Sequence, residues 1–527
     1  MVEKSSIKKT FRKFYSSNKA IVLLAVLYSI THLQYLSFAQ YWDSNWYWVL
    51  LRSGVGNLKE VALRSGDIVR TFIESFNFLG HPSMGYVGLM SISQFIDYGN
   101  VALLNIENVI LAVLAIYAFY RIAQYFFPER GTDNILITAI FAFNPLFYAT
   151  SISFNLDFGV LIFEVLMFEA IIYRKFLWFL LWATILIFTK EIGIIIFLSF
   201  IVAYLLFFAL KRWWKSKRRI EVHKVLFWIL PLMIFGVYFY YTRGNLWKNV
   251  ALENTGNTNF FTWNDNGMFT FGMNTKNVII RLFQIFVMNF GWVSSFTVIA
   301  IWLKAEIFGE RLLQDFSEEK RDIARVLGGT FFVFLVFNLL TIVMPFSRYV
   351  VPGVFFTVLI FYLLVQTLNR KHFFIRRAVL ALVLLLTVTQ TFKAIDPSPQ
   401  ILFGKNYLGE NVSSPFFGFH DGLVYNSEFV FVDKLEKKTI NYLTGGSSIV
   451  LDKEATYFFK DIKQVGTLDS LDKIYRTGVK KLRYIHIPWF GKKEESLAKI
   501  NKYYSIQAER TVDYKGYFVE IYDLKAL

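Results

Sequence analysis

The 527-residue sequence contains no cysteine, which excludes disulfides, thiol nucleophiles and cysteine metal ligands. Histidine is scarce: the six residues are scattered and form no His/Asp cluster with ligand spacing, so no metal or other cofactor is expected. There is no Gly-rich phosphate loop of the P-loop type, which argues against direct nucleotide chemistry. Charged residues make up only 18%, against the roughly 25% of an ordinary soluble domain.

What is abundant is apolar. Hydrophobic residues are 55% of the chain and aromatics 19%, with a mean hydropathy of +0.42. A single water-soluble core cannot hide that much apolar surface. Runs of roughly 17–25 apolar residues recur between Ile21 and Val388, the length needed to cross a hydrocarbon layer of about 30 Å. The formal charge of +17 resides in short clusters beside these runs rather than in an aromatic-interleaved patch, so it marks topology and not nucleic acid.

The start is basic (Lys4, Lys8, Lys9, Arg12, Lys13, Lys19) and no small-residue cleavage site follows the first apolar run, so that run is retained as a span at about 20–39 with a cytoplasmic N-terminus. Residues 41–100 then form an outer loop. Two half-hydrophobic stretches within it, Trp46–Leu51 and Tyr86–Ile96, suit the membrane surface. Ten further spans are expected at about 102–127, 134–151, 157–173, 176–190, 191–210, 225–242, 279–303, 326–345, 350–368 and 378–394. The basic inner loops 211–224 and 369–377 agree with this orientation, and about eleven spans leave the C-terminus outside.

From Asp396 the texture changes to strand-length apolar runs (SSIVLD, KLRYIHI, GYFVEIYDL) alternating with helical stretches (SLDKIYRTG, EESLAKINKYY). The fold class is therefore a polytopic α-helical membrane protein over 1–395, with a small extracytoplasmic α/β domain at 396–527.

Polar residues at the outer boundary carry the candidate chemistry. Asp43 lies just past the first span among Tyr41, Trp42 and Trp46; it is either an interfacial belt residue or a carboxylate partly desolvated by rings, suited to act as a general base. Gly80-His81-Pro82-Ser83-Met84-Gly85 opens the second surface stretch, with Pro82 in the first turn of a helix whose free amides can face an anion or simply start the helix. Asp157 opens the fourth span, as an N-cap or as a functional acid.

Thr189-Lys190-Glu191-Ile192-Gly193 leaves a Lys/Glu pair between two apolar runs, with Lys190 suited to phosphate and Glu191 to orienting or neutralising it. Ser347-Arg348-Tyr349 is a second outer cation, for snorkelling or bidentate phosphate contact. Within the spans, Glu107, Arg121, Glu164 and Glu169 are ionisable, and Asn144-Pro145 marks a kink. The outer loop 243–278, with Trp263-Asn264-Asp265-Asn266, is suited to fold over a site.

Taken in order, these residues resemble the GT-C superfamily of polyprenyl-phosphate-sugar-dependent glycosyltransferases, and within it the protein O-mannosyltransferase and lipid A aminoarabinose transferase branch. The resemblance rests on Asp43 after the first span, HPSMG in place of an HPPLG-like motif, Asp157, TKEIG and SRY, across roughly residues 20–350. It implies a GT-C membrane module acting at the extracytoplasmic face of the cell membrane, with a polyprenyl-phosphate-linked sugar as donor and a protein, lipid or glycan as acceptor. By the same resemblance Asp43 is the base of an inverting transfer, Asp157 supports Asp43 or the acceptor, Lys190 and Arg348 face the donor phosphate, and His81 shapes the site; Glu191 and Tyr349 are further candidate substrate-binding residues. The motif reads HPS rather than HPP, and Asp43 stands alone where many mannosyltransferases have an acidic pair. Competing readings are a multi-span transporter or flippase of lipid-linked saccharide, which usually shows inverted repeats and broken midplane helices, and a non-catalytic scaffold.

Overall fold

A computed structural model describes residues 18–36, 43–64, 67–76, 81–209, 222–242, 292–308, 316–340, 350–368, 373–393, 448–451, 465–486, 493–514 and 517–527, with a few isolated residues between 261 and 290. The chain divides into two compact units, the first built mainly on Met1–Ser37 and Tyr47–Pro397 and the second mainly on Val424–Leu527.

The first unit is helical. Helix α1 spans Lys19–His32 and α2 opens at Asp43 and runs to Leu63; α3 (Ile68–Phe76), α4 (Met84–Ile96) and α5 (Val101–Phe126) follow. After them come α6 (Gly131–Ala142), α7 (Pro145–Ser151), α8 (Leu156–Ile172), α9 (Phe176–Ile187) and α10 (Glu191–Tyr204), then α11 (Val222–Thr242), α12 (Trp292–Phe308), α13 (Glu318–Leu340), α14 (Gly353–Leu368) and α15 (Phe373–Lys393).

Each expected span overlaps one of these helices or the pair α6 and α7. By length and apolarity α5 and α13 can each cross a membrane alone, α6 and α7 qualify together across a 59° bend, and several others are shorter apolar helices. The chain is a multi-pass membrane protein. The bend at Asn144-Pro145 is more than a kink, because the Asn144 side chain accepts from the amides of Leu146 and Phe147 and Pro145 occupies the first turn, so a new helix is capped there.

The first outer loop departs from expectation. Trp46–Leu51 is not a short surface stretch but part of the 21-residue α2, because the buried stripe Tyr47, Trp48, Leu51, Val55, Leu58 continues the helical period. Gly54 lets α2 approach α3: a Cβ there would lie 2.7 Å from the Phe76 ring. Helix α8 is the centre of the unit, since all of its residues but Ile171 are buried and it packs against α5, α9, α10 and α14. Such a helix is apolar all round because protein surrounds it.

The second unit carries a five-stranded sheet. Its strands are β1 (Ser448–Leu451), β2 (Val465–Thr467), β3 (Lys481–His486), β4 (Tyr504–Tyr514) and β5 (Tyr517–Ala526), in the order β2-β1-β3-β5-β4. Strand β1 is parallel to β2 and β3, and the pairs β3/β5 and β4/β5 are antiparallel. Cross-strand pairs Leu482/Leu524 and Tyr484/Tyr522 form the core with Val450, Ile500 and Tyr504, under the short helices α16 (Leu471–Arg476) and α17 (Lys493–Ile500). The helical pattern expected through Tyr504 stops at Ile500, and β4 begins there instead.

Candidate functional site

Three separated segments meet at the start of α8. Helix α9 ends at Ile187 and α10 starts at Glu191, and the connection is tight: a Cβ on Gly193 would stand 2.2 Å from the Leu186 carbonyl oxygen. Only glycine fits so close an approach. The start of α4 docks on the same connection. The Gly85 amide donates to the Phe188 carbonyl at 2.6 Å, and a Cβ on Gly85 would lie 2.8 Å from two carbonyl oxygens. Gly159 of α8 sits equally close to the Tyr86 ring. The glycines of HPSMG and TKEIG therefore both serve close approach to the end of α9, Gly85 at Ile185 and Phe188 and Gly193 at Leu186.

This takes one amide of the HPSMG helix start away from any anion. Pro82 precedes the cap residue Ser83 rather than occupying the first turn, the Ser83 hydroxyl donates to the Phe76 carbonyl at 2.7 Å, and the Gly85 amide is spent on Phe188. Asp157 is likewise not a cap. The cap is Asn155, whose side chain accepts from the Asp157 amide at 2.9 Å, so the Asp157 carboxylate is left for another partner.

That partner is Lys190. Its Nζ donates to Oδ1 and Oδ2 of Asp157 at 2.8 and 2.9 Å, and the two side chains are only 12% and 4% exposed. The neighbouring Glu191 does not pair with Lys190 as the sequence suggested; it accepts from His81 Nδ1 at 2.9 and 3.0 Å, with 5% exposure of its side chain against 17% for His81. A carboxylate only accepts, so Nδ1 carries the hydrogen and, in a neutral ring, Nε2 is the acceptor. Consecutive residues at the mouth of α10 thus hold one residue from α8 and one from the HPSMG segment.

Around them, the Tyr86 hydroxyl donates to Asn108 Oδ1 at 2.6 Å and Asn108 Nδ2 donates to the Ser153 carbonyl at 2.9 Å. This strut ties α4, α5 and the entry to α8 together. Asn108 and Asn155 were not singled out in the sequence; the Asn-Leu-Asp spacing before a long apolar run was the available signal for the second. Asp43 is the first residue of α2, but its side chain lies outside the described residues, as do Arg348, Tyr349 and Trp263–Asn266.

Elsewhere in the bundle, Glu169 pairs with Lys175 at 2.8 Å and Arg121 at 3.6 Å. Glu164 does not pair: it is fully buried and neither carboxyl oxygen has a hydrogen-bond partner among the described residues. Glu107 has one such oxygen. No group of three or more potential metal ligands occurs among the described residues.

The Lys190 ammonium is held in place by Asp157, as an ion pair without net charge, and the next residue, Glu191, holds the His81 imidazole. Such an arrangement can meet an anionic group in a defined position. No protein-family profile matches this chain, and no curated protein matches it. Among solved structures, the crystal structure of ArnT from Cupriavidus metallidurans in the apo state superposes with a TM-score of 0.50 and 13% identity, over 96% of this chain and 98% of that one. The chain has the ArnT fold. The same ArnT with undecaprenyl phosphate bound gives a TM-score of 0.49 and 14% identity over the same shares of both chains. The apo ArnT likeness extends over nearly the whole of both chains.

Proposed function

We propose that this protein is a GT-C glycosyltransferase that moves a sugar from a polyprenyl-phosphate-linked donor to an acceptor at the extracytoplasmic membrane face. The observation that carries the reading is the joining of HPSMG, the start of α8 and TKEIG through the buried Asp157–Lys190 and His81–Glu191 pairs, in a chain with the ArnT fold. A polyprenyl carrier keeps its tail in lipid and its headgroup at the surface, so a site for it belongs at a membrane boundary. Cations there stabilise the departing phosphate.

In this reading Asp43 removes the proton from an acceptor hydroxyl or amine. The acceptor attacks the anomeric carbon from the side opposite the leaving group, the bond from that carbon to the phosphate oxygen breaks, and the phosphate departs with the electron pair. Lys190 and Arg348 take up the charge of the leaving phosphate. Asp157 holds Lys190 in place and supports Asp43 or the acceptor, while His81, Glu191 and Tyr349 shape the donor site. Leaving-group charge falls to side chains, so no step is assigned to a metal. The transfer inverts the anomeric configuration.

The test is to incubate the full chain, held in lipid nanodiscs, with short-chain polyprenyl-phosphate sugars and candidate acceptors, and to read the anomeric configuration of the product by NMR. Transfer with inversion is expected, unaffected by a chelator. Transfer with retention contradicts the mechanism, and no turnover with any donor contradicts the function.

A further inference from the structure

Between α2 and the end of α4, two cations close around one tyrosine. Arg52, Gly56 and Lys59 are spaced four and then three residues apart, so they share one face of α2. Tyr98, just past the end of α4, lies against that face: its hydroxyl donates to the Arg52 carbonyl at 3.2 Å, and a Cβ on Gly56 would stand 3.8 Å from the same hydroxyl. The Arg52 guanidinium is 5.2 Å from the centre of the Tyr98 ring and the Lys59 ammonium 5.3 Å. Arg52 also lies over the Trp48 ring at 5.7 Å, and Lys59 over the Phe95 ring at 5.8 Å.

Rings steady these cations without cancelling their charge. Neither forms an ion pair with a carboxylate among the described residues, and Arg52 Nε is buried with no hydrogen-bond partner. The acids closest in sequence are engaged elsewhere: Glu60 pairs with Arg64 at 2.6 Å, and Asp97 accepts from Asn100 Nδ2 at 2.9 Å. Even with Asp97 set against both cations, the group stays positive. Gly99, at φ 86°, lies next to the guanidinium, and a Cβ there would stand 3.6 Å from Arg52 Nη2, so the glycine that turns the chain also leaves the guanidinium fork uncovered.

Beside the cations α4 exposes an apolar ridge. Ile92, Phe95 and Ile96 are 50%, 46% and 74% exposed, and their spacing puts them on one helix face. Asn100 then caps α5, which is long and apolar enough to cross a membrane alone, so ridge and cations lie where the chain enters hydrocarbon. Positive charge and exposed apolar surface side by side at that level fit a lipid phosphate above its acyl chains. A soluble anion would leave the ridge bare.

We propose that Arg52 and Lys59, braced on Tyr98, bind the phosphate of an anionic membrane lipid whose chains lie on Ile92, Phe95 and Ile96. Arg52 presents a planar fork of donors to the phosphate oxygens, and Lys59 adds a compact charge on a flexible stem. None of these residues is assigned a part in the transfer, so the proposal stands without the transferase reading.

The full chain is exchanged into mixed phosphatidylglycerol and phosphatidylcholine, and retained lipid is counted by native mass spectrometry. Wild type is expected to retain phosphatidylglycerol preferentially. K59Q, at an exposed position, lowers that preference about fivefold, the equivalent of about 1 kcal/mol for one basic residue near an anionic surface; K59R keeps most of it. E60Q/R64Q, which removes a charge pair from the same helix, leaves it unchanged. Equal retention of the two lipids by wild type overturns the proposal without reference to any variant. So does an unchanged preference in K59Q, or an equal fall in E60Q/R64Q. Displacement of the lipid by millimolar glycerol phosphate overturns it as well, in favour of a soluble-anion site.

Discussion

Helix α8 has a carboxylate near each end, and the two are partnered in different ways. Asp157 meets one cation, Lys190, and both side chains are sealed from solvent at 4% and 12% exposure. Glu169 meets two, Lys175 and Arg121, whose side chains are 41% and 27% exposed, and both lie by the Tyr173 ring. Desolvating a pair is expensive, and the cost is recovered only while both members are present; a partly exposed pair keeps its water and contributes little. The same helix therefore keeps a rigid, high-cost charge pair at the end where the motifs converge and a solvated one at the other. Charge is spent on position at the first end and on the membrane boundary at the second.

The comparison breaks most visibly at Lys190. Lys190→Met leaves Asp157 buried without its cation, so stability falls by about 3–5 kcal/mol and transfer drops at least roughly 100-fold if the ammonium meets the donor phosphate; thermal unfolding and turnover read the two separately. Gly193→Ala forces a methyl group into the Leu186 carbonyl and displaces the segment that carries Lys190 and Glu191. A loss of about 1–3 kcal/mol is expected, with turnover reduced although no charged group has changed.

Glu164 sharpens the contrast from the middle of the helix. Its carboxyl, without a hydrogen-bond partner among the described residues, adds desolvation cost, so Glu164→Leu is expected to raise stability by about 1 kcal/mol; a lower unfolding midpoint would show that the carboxyl has a partner. The smallest effect belongs to the solvated end, where Lys175→Met costs under about 1 kcal/mol and leaves turnover intact.

The helices were legible because long apolar runs report themselves locally, and so were HPSMG, Asp157 and TKEIG as places of interest. Their pairing was not. Lys190 and Glu191 read as a pair because they are adjacent in sequence, yet consecutive residues at a helix start diverge, and each finds a partner 33 and 110 residues away. The role of Asp157 as a cap was misplaced by two residues because Asn155 and Asp157 offer the same chemistry. Helix α2 runs past the stretch its apolar run suggests, because Ser53 and Asn57, which interrupt that run, are exposed off its buried stripe, while Arg52 flanks the stripe with its guanidinium over the Trp48 ring at 5.7 Å. Asp133 of α6 accepts from Gln366 and Arg376, more than 230 residues away, beyond any local pattern. Strand β4 was hidden by its many polar residues, because an edge strand with one exposed face carries a weak alternation.

The central claim is that sugar leaves a polyprenyl-phosphate donor here with Asp43 as the base. It is tested most directly by measuring release of polyprenyl phosphate by wild type and Asp43→Asn side by side in nanodiscs, with thermal unfolding as the control for folding. The account predicts acceptor-dependent release by wild type and its loss in a variant that unfolds at the same temperature, because the substitution removes the base and almost no volume. Undiminished release by Asp43→Asn would contradict it.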